Sequence, residues 1–513
     1  MSHTLQRIFR LLGWALVLAI FAKAVVSFGV MLRYQWMSPL TWDSTLYVTV
    51  GRGMLNGLLP YVDLFENKPP GIFAVAALAL WLRDDFALLG VFQTAALLGL
   101  FIAIIGFPLW SGERRLRSRL SWFCCIAFAF LLTHYTADRS GAMQVESFGA
   151  TFTTIFAVLL AAHSDRPWGT VRISIGALLA CAAVMMKEPF ALTLAAVCMT
   201  LCRTPRAFVR NGVLPGVLSA VFMVLILAAM GVLASYAGVY LHEIFNRHIV
   251  DSGSPWTRAF HLHQIWNNLW GYNPLLAIAV PGLLLWRIVQ LCHERLIVAL
   301  ARITLLCAAT YAVLFAIGLG GPFYGHHFIF GVPFFAALLF ANLREAHQLH
   351  LPRFVHRHAT ATTALALAAL LLPLNTWDYD ADLRAQADSS ASARDVAERI
   401  DDVLDRCGKE QYLFLGANGF QPYAFTKHSP MGPLFFQYWY YFDTNRRDFR
   451  RTFKGMLREA EFVVQGKEED MGQLTEYIRD KLDKHFSVEP WPCAEGITSP
   501  DERYIFHFRT STW

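Results

Sequence analysis

The stretch from Gly57 to Gly71 reads GLLPYVDLFENKPPG, and the apolar run that begins within it continues to Leu82. Residues 57–71 contain two acids, one lysine and three prolines, a combination of charged residues and prolines that is typical of turns. The apolar run from Pro69 to Leu82 has about 14 residues, which is short of the roughly 20 that a membrane-spanning helix needs. We therefore predict a helix that lies at the membrane interface. Counting this segment as a span instead would place every later loop on the opposite side of the membrane.

The composition around this stretch is that of a membrane protein. Of the 513 residues, 55% are apolar and 16% are charged, and the mean hydropathy is +0.39. Soluble globular proteins carry about 25% charged residues. The composition excludes a disordered chain, a collagen, a coiled coil and a small disulfide scaffold.

Apolar runs near the length of a bilayer crossing recur along the first part of the chain. They lie at residues 11–32, 86–110, 120–136, 148–163, 171–186, 189–202, 212–236, 273–291, 296–318, 323–342 and 358–374. The first has no small-residue cleavage site after it, so we interpret it as a retained helix and not as a signal peptide. The sequence predicts an α-helical polytopic membrane protein with about eleven transmembrane helices, plus interfacial helices in the first outer loop.

Charge density rises almost threefold near residue 376. Residues 1–375 hold 26 basic residues (Lys and Arg) and 14 acidic residues (Asp and Glu). Residues 376–513 hold 18 basic and 24 acidic residues. We predict a membrane domain at 1–375 and a soluble domain at 376–513. Alternating and helical apolar patterns in the second part favour an α/β fold. Strands are predicted at 411–416, 461–465 and 504–508, and helices at 381–406 and 472–486.

The distribution of basic residues predicts the sidedness. With residues 69–82 kept at the interface, one set of loops holds 17 Lys and Arg and the other set holds 8. Positive charge marks cytoplasmic loops, so the N-terminus is predicted to be cytoplasmic and the C-terminal domain to lie outside. Cys407 and Cys493 are the only cysteines of that domain, and an oxidising compartment would favour a disulfide between them.

The loops predicted to lie outside collect polar groups that a passive membrane anchor does not need. These groups are Asp43, Tyr61, Asp63 and Lys68 in the first loop, Arg139 and Glu146 in the second, Lys187 at a later turn, and Tyr324, His326 and His327 at the start of the tenth span.

The first loop resembles that of the GT-C membrane glycosyltransferases, especially the bacterial relatives of protein O-mannosyltransferases and of lipid A aminoarabinose transferases. In that superfamily an acidic residue follows the first span, and a G-x-x-P-Y-x-D segment with K-P-P leads into an interfacial helix. An acid after the third span, a lysine at a later outer turn and a late G-x-F-Y-x-H-Y run complete the resemblance. The sequence differs in having Ser44 where an acid is frequent and His327 where tyrosine is usual.

The resemblance implies an inverting transfer of a monosaccharide from a polyprenyl-phosphate donor to a glycan, lipid or protein acceptor, at the outer face of the bacterial cytoplasmic membrane. A carboxylate can serve as the general base, and cations can stabilise the departing phosphate. The implied roles are Asp43 as base, Lys68, Lys187, His326, His327 and Arg139 at the donor phosphate, and Tyr61, Asp63, Glu146 and Tyr324 at the substrates. No nucleotide or nucleic acid is implied, and the use of a divalent metal ion stays open.

Each candidate residue also has a plainer interpretation. Asp43 could cap a helix, Glu146 could be a solvated loop acid, and Lys187 could reach from a helix end to the interface. Lys23 lies near the middle of the first span, where pairing between helices is the favoured role. The alternative functions are a secondary transporter or lipid flippase, and a sensor or assembly protein. A transporter usually shows internal repeats, which are not evident here.

Overall fold

A computed structural model describes residues 3–37, 42–83, 87–136, 144–164, 166–244, 274–319, 325–348, 379–416, 421–435, 447–466, 475–499 and 504–511, with parts of 263–270. Its chain forms two compact units. The first unit comprises Met1–Met37, Gly90–Ile226 and Glu243–Asp378. The second comprises Ser38–Leu89, Leu227–His242 and Tyr379–Trp513. The second unit therefore combines the first loop with the C-terminal region.

Helices dominate both units up to residue 348. They are α1 His3–Met37, α2 Trp42–Leu55, α3 Pro70–Leu82, α4 Ala87–Trp110, α5 Arg119–Thr136, α6 Val145–Ala162, α7 Thr170–Met186, α8 Phe190–Leu201, α9 Pro205–Phe208, α10 Leu214–Ala229, α11 Leu233–Ser235, α12 Leu241–Ile244, α13 Pro274–Leu291, α14 Leu296–Gly318 and α15 Val332–Gln348. The π turns Val209–Val213 and Tyr236–Tyr240 continue α9 into α10 and α11 into α12, and a 3₁₀ turn at Gly325–Gly331 precedes α15.

Ten of the eleven predicted spans coincide with helices, and the last, at 358–374, lies outside the described residues. Six helices of the described chain are long and apolar enough to cross a membrane, and others are apolar but shorter. The chain thus has the helices of a multi-pass membrane protein, while the number of crossings stays a prediction. The span at 212–236 was wrong at its end, because α10 stops at Ala229 and Gly231 follows with a positive φ of 72°.

The interfacial segment forms α3, whose thirteen residues extend about 20 Å at 1.5 Å per residue. This length falls short of a hydrocarbon core of about 30 Å. Leu78, Trp81 and Leu82 are exposed on the helix, as an apolar face directed at lipid requires. Its position on a membrane stays a prediction.

Lys23 on α1 lies within the first unit with its Nζ 5.5 Å from the centre of the Phe130 ring on α5. A cation over an aromatic face is stabilised by the ring quadrupole. The prediction that Lys23 pairs with a neighbouring helix is therefore confirmed.

Residues from four of the loops predicted to be cytoplasmic meet in the first unit, and these predicted loops are 111–120, 202–211, 287–302 and 343–358. The Glu345 carboxylate accepts from Arg287 at 2.6 Å, from Arg302 at 3.3 Å and from Arg203 at 3.4 Å. The adjacent Arg344 contacts Glu113 at 3.0 Å. These four loops therefore lie at the same end of the unit, as the alternation of the predicted spans requires.

The C-terminal region is α/β, as predicted. It contains α16 Tyr379–Cys407, α17 Arg447–Glu459 and α18 Thr475–His485, with strands β1 Gln411–Leu415, β2 Ser429–Pro430, β3 Phe462–Gly466, β4 Phe486–Ser487 and β5 Tyr504–Arg509. The sheet order is β2-β1-β3-β5-β4, with β1 parallel to β2 and β3, and β5 antiparallel to β3 and β4. Short 3₁₀ turns lie at Arg114–Arg117, Gln421–Ala424 and Pro492–Ala494.

The predicted disulfide is present between Cys407 and Cys493, whose Cα atoms are 5.3 Å apart. It joins the end of α16 to the segment before β5. The boundary at residue 376 stays a prediction, because the compact unit that contains the α/β region also contains the first loop.

We expect Glu345→Ala to lower the free energy of unfolding by roughly 3–5 kcal/mol, because it leaves the buried Arg287 without its counter-charge. Glu294→Ala is the control, since Glu294 is 27% exposed and pairs with Arg302, which keeps Glu345. Its expected loss is below about 1 kcal/mol. Thermal unfolding of the purified protein in detergent measures both variants, and equal shifts would contradict the requirement of Arg287 for a buried counter-charge.

Candidate functional site

Lys187 and Glu146 form a buried ion pair in the first unit. Lys187 follows α7 in an extended conformation, and its backbone N–H donates to the Ala183 carbonyl at 3.2 Å. Glu146 lies in the first turn of α6 with 1% of its surface exposed. The Lys187 ammonium group donates to Glu146 Oε1. The sequence predicted both residues as site residues, and the structure brings them into contact.

An aromatic group lies beside this ion pair. The Lys187 Nζ is 5.4 Å from the centre of the Phe330 ring, which belongs to the 3₁₀ turn before α15. His327 is buried in the same turn, with its ring 5.8 Å from that of Phe330. Glu146, Lys187 and His327 therefore lie on α6, at the α7–α8 turn and on the 3₁₀ turn of the same unit, and their joint action at one site stays a prediction.

The helices that carry the ion pair pack closely. The Phe190 ring, at the start of α8, covers Gly149 so tightly that a Cβ on Gly149 would lie 2.1 Å from it. Phe190 also contacts Phe330 at 4.9 Å, and the Thr193 hydroxyl donates to the Phe330 carbonyl at 2.9 Å. These contacts fix α6, α8 and the 3₁₀ turn around Lys187.

Asp43 belongs to the second unit, where it lies half-buried in the first turn of α2. The helix dipole favours a negative charge at this position. Among the residues that the structure describes, none forms a hydrogen bond or ion pair with its carboxylate. The Asp43 side chain therefore makes no helix-capping bond to any residue that the structure describes.

The first loop closes as a tight turn around Tyr61, whose φ is 66°. Its backbone N–H donates to the Leu64 carbonyl at 2.9 Å, and its hydroxyl donates to the Lys68 carbonyl at 2.7 Å. The Asp63 carboxylate accepts from the Leu59 N–H at 2.8 Å. Both Tyr61 and Asp63 thus stabilise the turn, and their contact with a substrate stays a prediction.

Tyr61 has aromatic partners that were not predicted from the sequence. Its ring lies 4.9 Å from that of Tyr240 and 5.9 Å from that of Tyr236, and all three residues are buried. Tyr236 and Tyr240 are four residues apart on the segment 227–242 of the second unit. This helical spacing places both rings on one face of a helix, and it was the only sign in the sequence of a shared aromatic contact. The three rings fix the loop against a distant part of the chain.

Lys68 also lies beside a buried carboxylate. Its Nζ contacts the Asn67 side-chain oxygen at 3.0 Å and Glu66 Oε1 at 3.8 Å. Glu66 is 2% exposed, and no role was predicted for it from the sequence. Each unit therefore holds one candidate lysine against a glutamate.

Other predicted site residues lie outside the described part of the chain: Arg139, Tyr324 and the side chain of His326. Among the described residues, no group of three or more His, Cys, Asp and Glu could hold a metal ion.

Comparison with solved structures identifies the fold. The chain matches the crystal structure of ArnT from Cupriavidus metallidurans bound to undecaprenyl phosphate, with a TM-score of 0.56 and 14% identity over 97% of this chain and 98% of that one. The apo form of the same protein matches with a TM-score of 0.50 and 12% identity over the same shares. No family model matches the sequence, and no curated protein does so significantly. The chain therefore has the GT-C fold. The resemblance stated from the first loop is confirmed for the fold.

A double-mutant cycle tests the buried ion pair. We expect Lys187→Met to lower the free energy of unfolding by about 3–5 kcal/mol, because it leaves Glu146 charged and buried. Glu146→Gln should cost less, since Lys187 is 15% exposed and reaches water. The double variant should recover to within about 1 kcal/mol of wild type. Thermal unfolding in detergent measures all three, and strictly additive losses would contradict the coupling.

Proposed function

We propose that this chain is an inverting membrane glycosyltransferase that moves a monosaccharide from a polyprenyl-phosphate donor to an acceptor at the outer face of the bacterial cytoplasmic membrane. Asp43 is the general base, and Lys68, Lys187 and His326 contact the donor phosphate. The acceptor is a glycan, a lipid or a protein. The alternative is a secondary transporter or lipid flippase.

The shared fold supports the donor class. The ArnT structure that matches nearly the full chain contains undecaprenyl phosphate, which is a polyprenyl phosphate. A transferase of this kind needs no nucleotide, so the residues that matter are those that meet a lipid phosphate and an acceptor hydroxyl.

The observation that carries the choice of base is the different environment of the carboxylates. Glu146 is paired with Lys187, and Asp63 accepts a backbone N–H. Glu66 lies next to Lys68. The Asp43 carboxylate has no such bond to a described residue, and a carboxylate without a competing donor is available to take a proton.

In the proposed reaction the lysines stabilise the negative charge that develops on the departing phosphate. The acceptor oxygen attacks the anomeric carbon as its proton passes to Asp43, and the bond from that carbon to the phosphate oxygen breaks with the electron pair going to the phosphate. The phosphate thereby gains negative charge as the reaction proceeds. A lysine that moves its contact from glutamate to phosphate stabilises this charge most in the transition state.

The transporter alternative rests on the many apolar helices alone. A secondary transporter places its polar groups at mid-membrane depth between repeated halves. Glu146, Lys187 and His327 instead come from three helix ends or turns in the described chain. This placement favours chemistry at one face of the membrane.

Replacing Asp43 tests the proposal. We expect Asp43→Asn to lower the transfer rate by about 10²–10⁴, because the amide keeps the size of the side chain but accepts no proton. Donor binding should change little. Purified variants are added to membranes of cells that lack the gene, together with radiolabelled polyprenyl-phosphate sugars, and label in the acceptor is measured.

Asp402→Asn is the matched control, since Asp402 is exposed on α16 and carries the same charge. It should transfer at the wild-type rate. Near-wild-type turnover by folded Asp43→Asn would contradict the role of Asp43. Labelled donor that crosses vesicle membranes with no label in any acceptor would favour the transporter.

A further inference from the structure

A segment of the C-terminal region, residues 421–435, contacts the first loop along its length within the second unit. The Phe65 N–H donates to the Pro433 carbonyl at 2.8 Å. An Arg52 Nη donates to the Ala424 carbonyl at 3.3 Å. The Asn56 side chain donates to the Ser429 hydroxyl at 3.2 Å. These contacts join positions more than 360 residues apart, from α2 to the end of the Tyr61 turn.

At Gly432 the two backbones touch. A Cβ added to Gly432 would lie 1.5 Å from the Asp63 carbonyl oxygen and 2.7 Å from its carbon. Backbone atoms cannot move aside as the end of a flexible side chain can, so any larger residue must displace the turn. Only glycine permits this approach.

Phe65 extends the contact into the core of the α/β region. It is 3% exposed, and its ring lies 5.7 Å from that of Phe449 on α17. The same apolar cluster contains Leu413 of β1 and Val463 of β3. One residue of the first loop is thus a core residue of the C-terminal sheet.

The 421–435 segment is itself held firmly. The Asp401 carboxylate of α16 accepts the backbone N–H of Lys427 at 3.0 Å and that of His428 at 3.4 Å. Burial raises the pKa of Asp401 above its usual value, although these two bonds favour its charged form. On its other side, the Tyr423 hydroxyl donates to the Phe435 carbonyl at 2.6 Å. The segment can therefore act as a rigid support.

We infer that the 421–435 segment is a positioning element for the reaction, which fixes the Tyr61 turn and α2 and thereby orients Lys68 and Asp43. The inference rests on the proposed function for the roles of those two residues. A cover for the active site would need only side-chain contacts. Here the contact is between backbones and requires a glycine, so a displacement in the segment passes directly to the loop.

The test compares two glycines of the same region in the full-length protein. Gly432→Ala must displace Asp63, whereas a Cβ on Gly455, within α17, meets nothing within 4 Å. Hydrogen exchange is measured first, because it does not depend on activity. We expect faster exchange of the amides at residues 59–66 in Gly432→Ala, unchanged exchange in β1 and β3, and no change in either place for Gly455→Ala.

The second readout is kinetic. A displacement of about 1 Å of reacting groups can reduce the rate by about 100-fold, so kcat should fall at least tenfold in Gly432→Ala while KM for the donor stays within about threefold. Gly455→Ala should match wild type.

The outcomes separate the two proposals. Unchanged exchange at 59–66 in Gly432→Ala would overturn the positioning role, and so would faster exchange with unchanged kcat. Faster exchange in a protein whose wild type transfers no sugar would keep the structural coupling and reject the proposed function.

Discussion

A charge buried among apolar helices must have a partner, and this constraint determines where the polar residues of the first unit lie. Removing a charged group from water costs several kcal/mol unless an opposite charge and hydrogen bonds compensate. Arg287 meets this requirement with Glu345, and Lys187 meets it with Glu146. Arg287 and Glu345 lie at helix ends that were predicted to be cytoplasmic, whereas Lys187 and Glu146 lie at helix ends that were predicted to face outside. The pairs thus hold the helices in register and leave a lysine and a glutamate where chemistry is proposed.

Local composition was enough to predict many of the helices, three strands and the disulfide. Apolar runs gave ten helices of the described chain, and the Lys187-Glu188-Pro189 break separated α7 from α8 as predicted. Short apolar runs located β1, β3 and β5, and two cysteines in one region paired as expected. The end of the seventh span was wrong, because the turn at Gly231 interrupts a run that is apolar throughout.

Contacts between distant segments could not be predicted in the same way. The Glu146 carboxylate and the Lys187 ammonium were each placed at the site by resemblance, but no local pattern says that they bind each other. The same holds for Tyr61 with Tyr240, and for Gly432 with Asp63. Such contacts depend on how separate elements of the chain pack, and a single sequence carries no direct record of that packing. The contact between Gly432 and Asp63 is also the one on which the proposed positioning of the first loop depends.

The proposed reaction depends on the first loop binding a lipid-linked sugar phosphate through Lys68. The most direct measurement uses a polyprenyl-phosphate sugar with a photoreactive group next to the phosphate, crosslinked to the full-length protein in lipid and mapped by mass spectrometry. We expect crosslinked peptides from residues 58–71, which contain Lys68. A bound donor that crosslinks to other segments but not to this one would contradict the proposed role of the first loop.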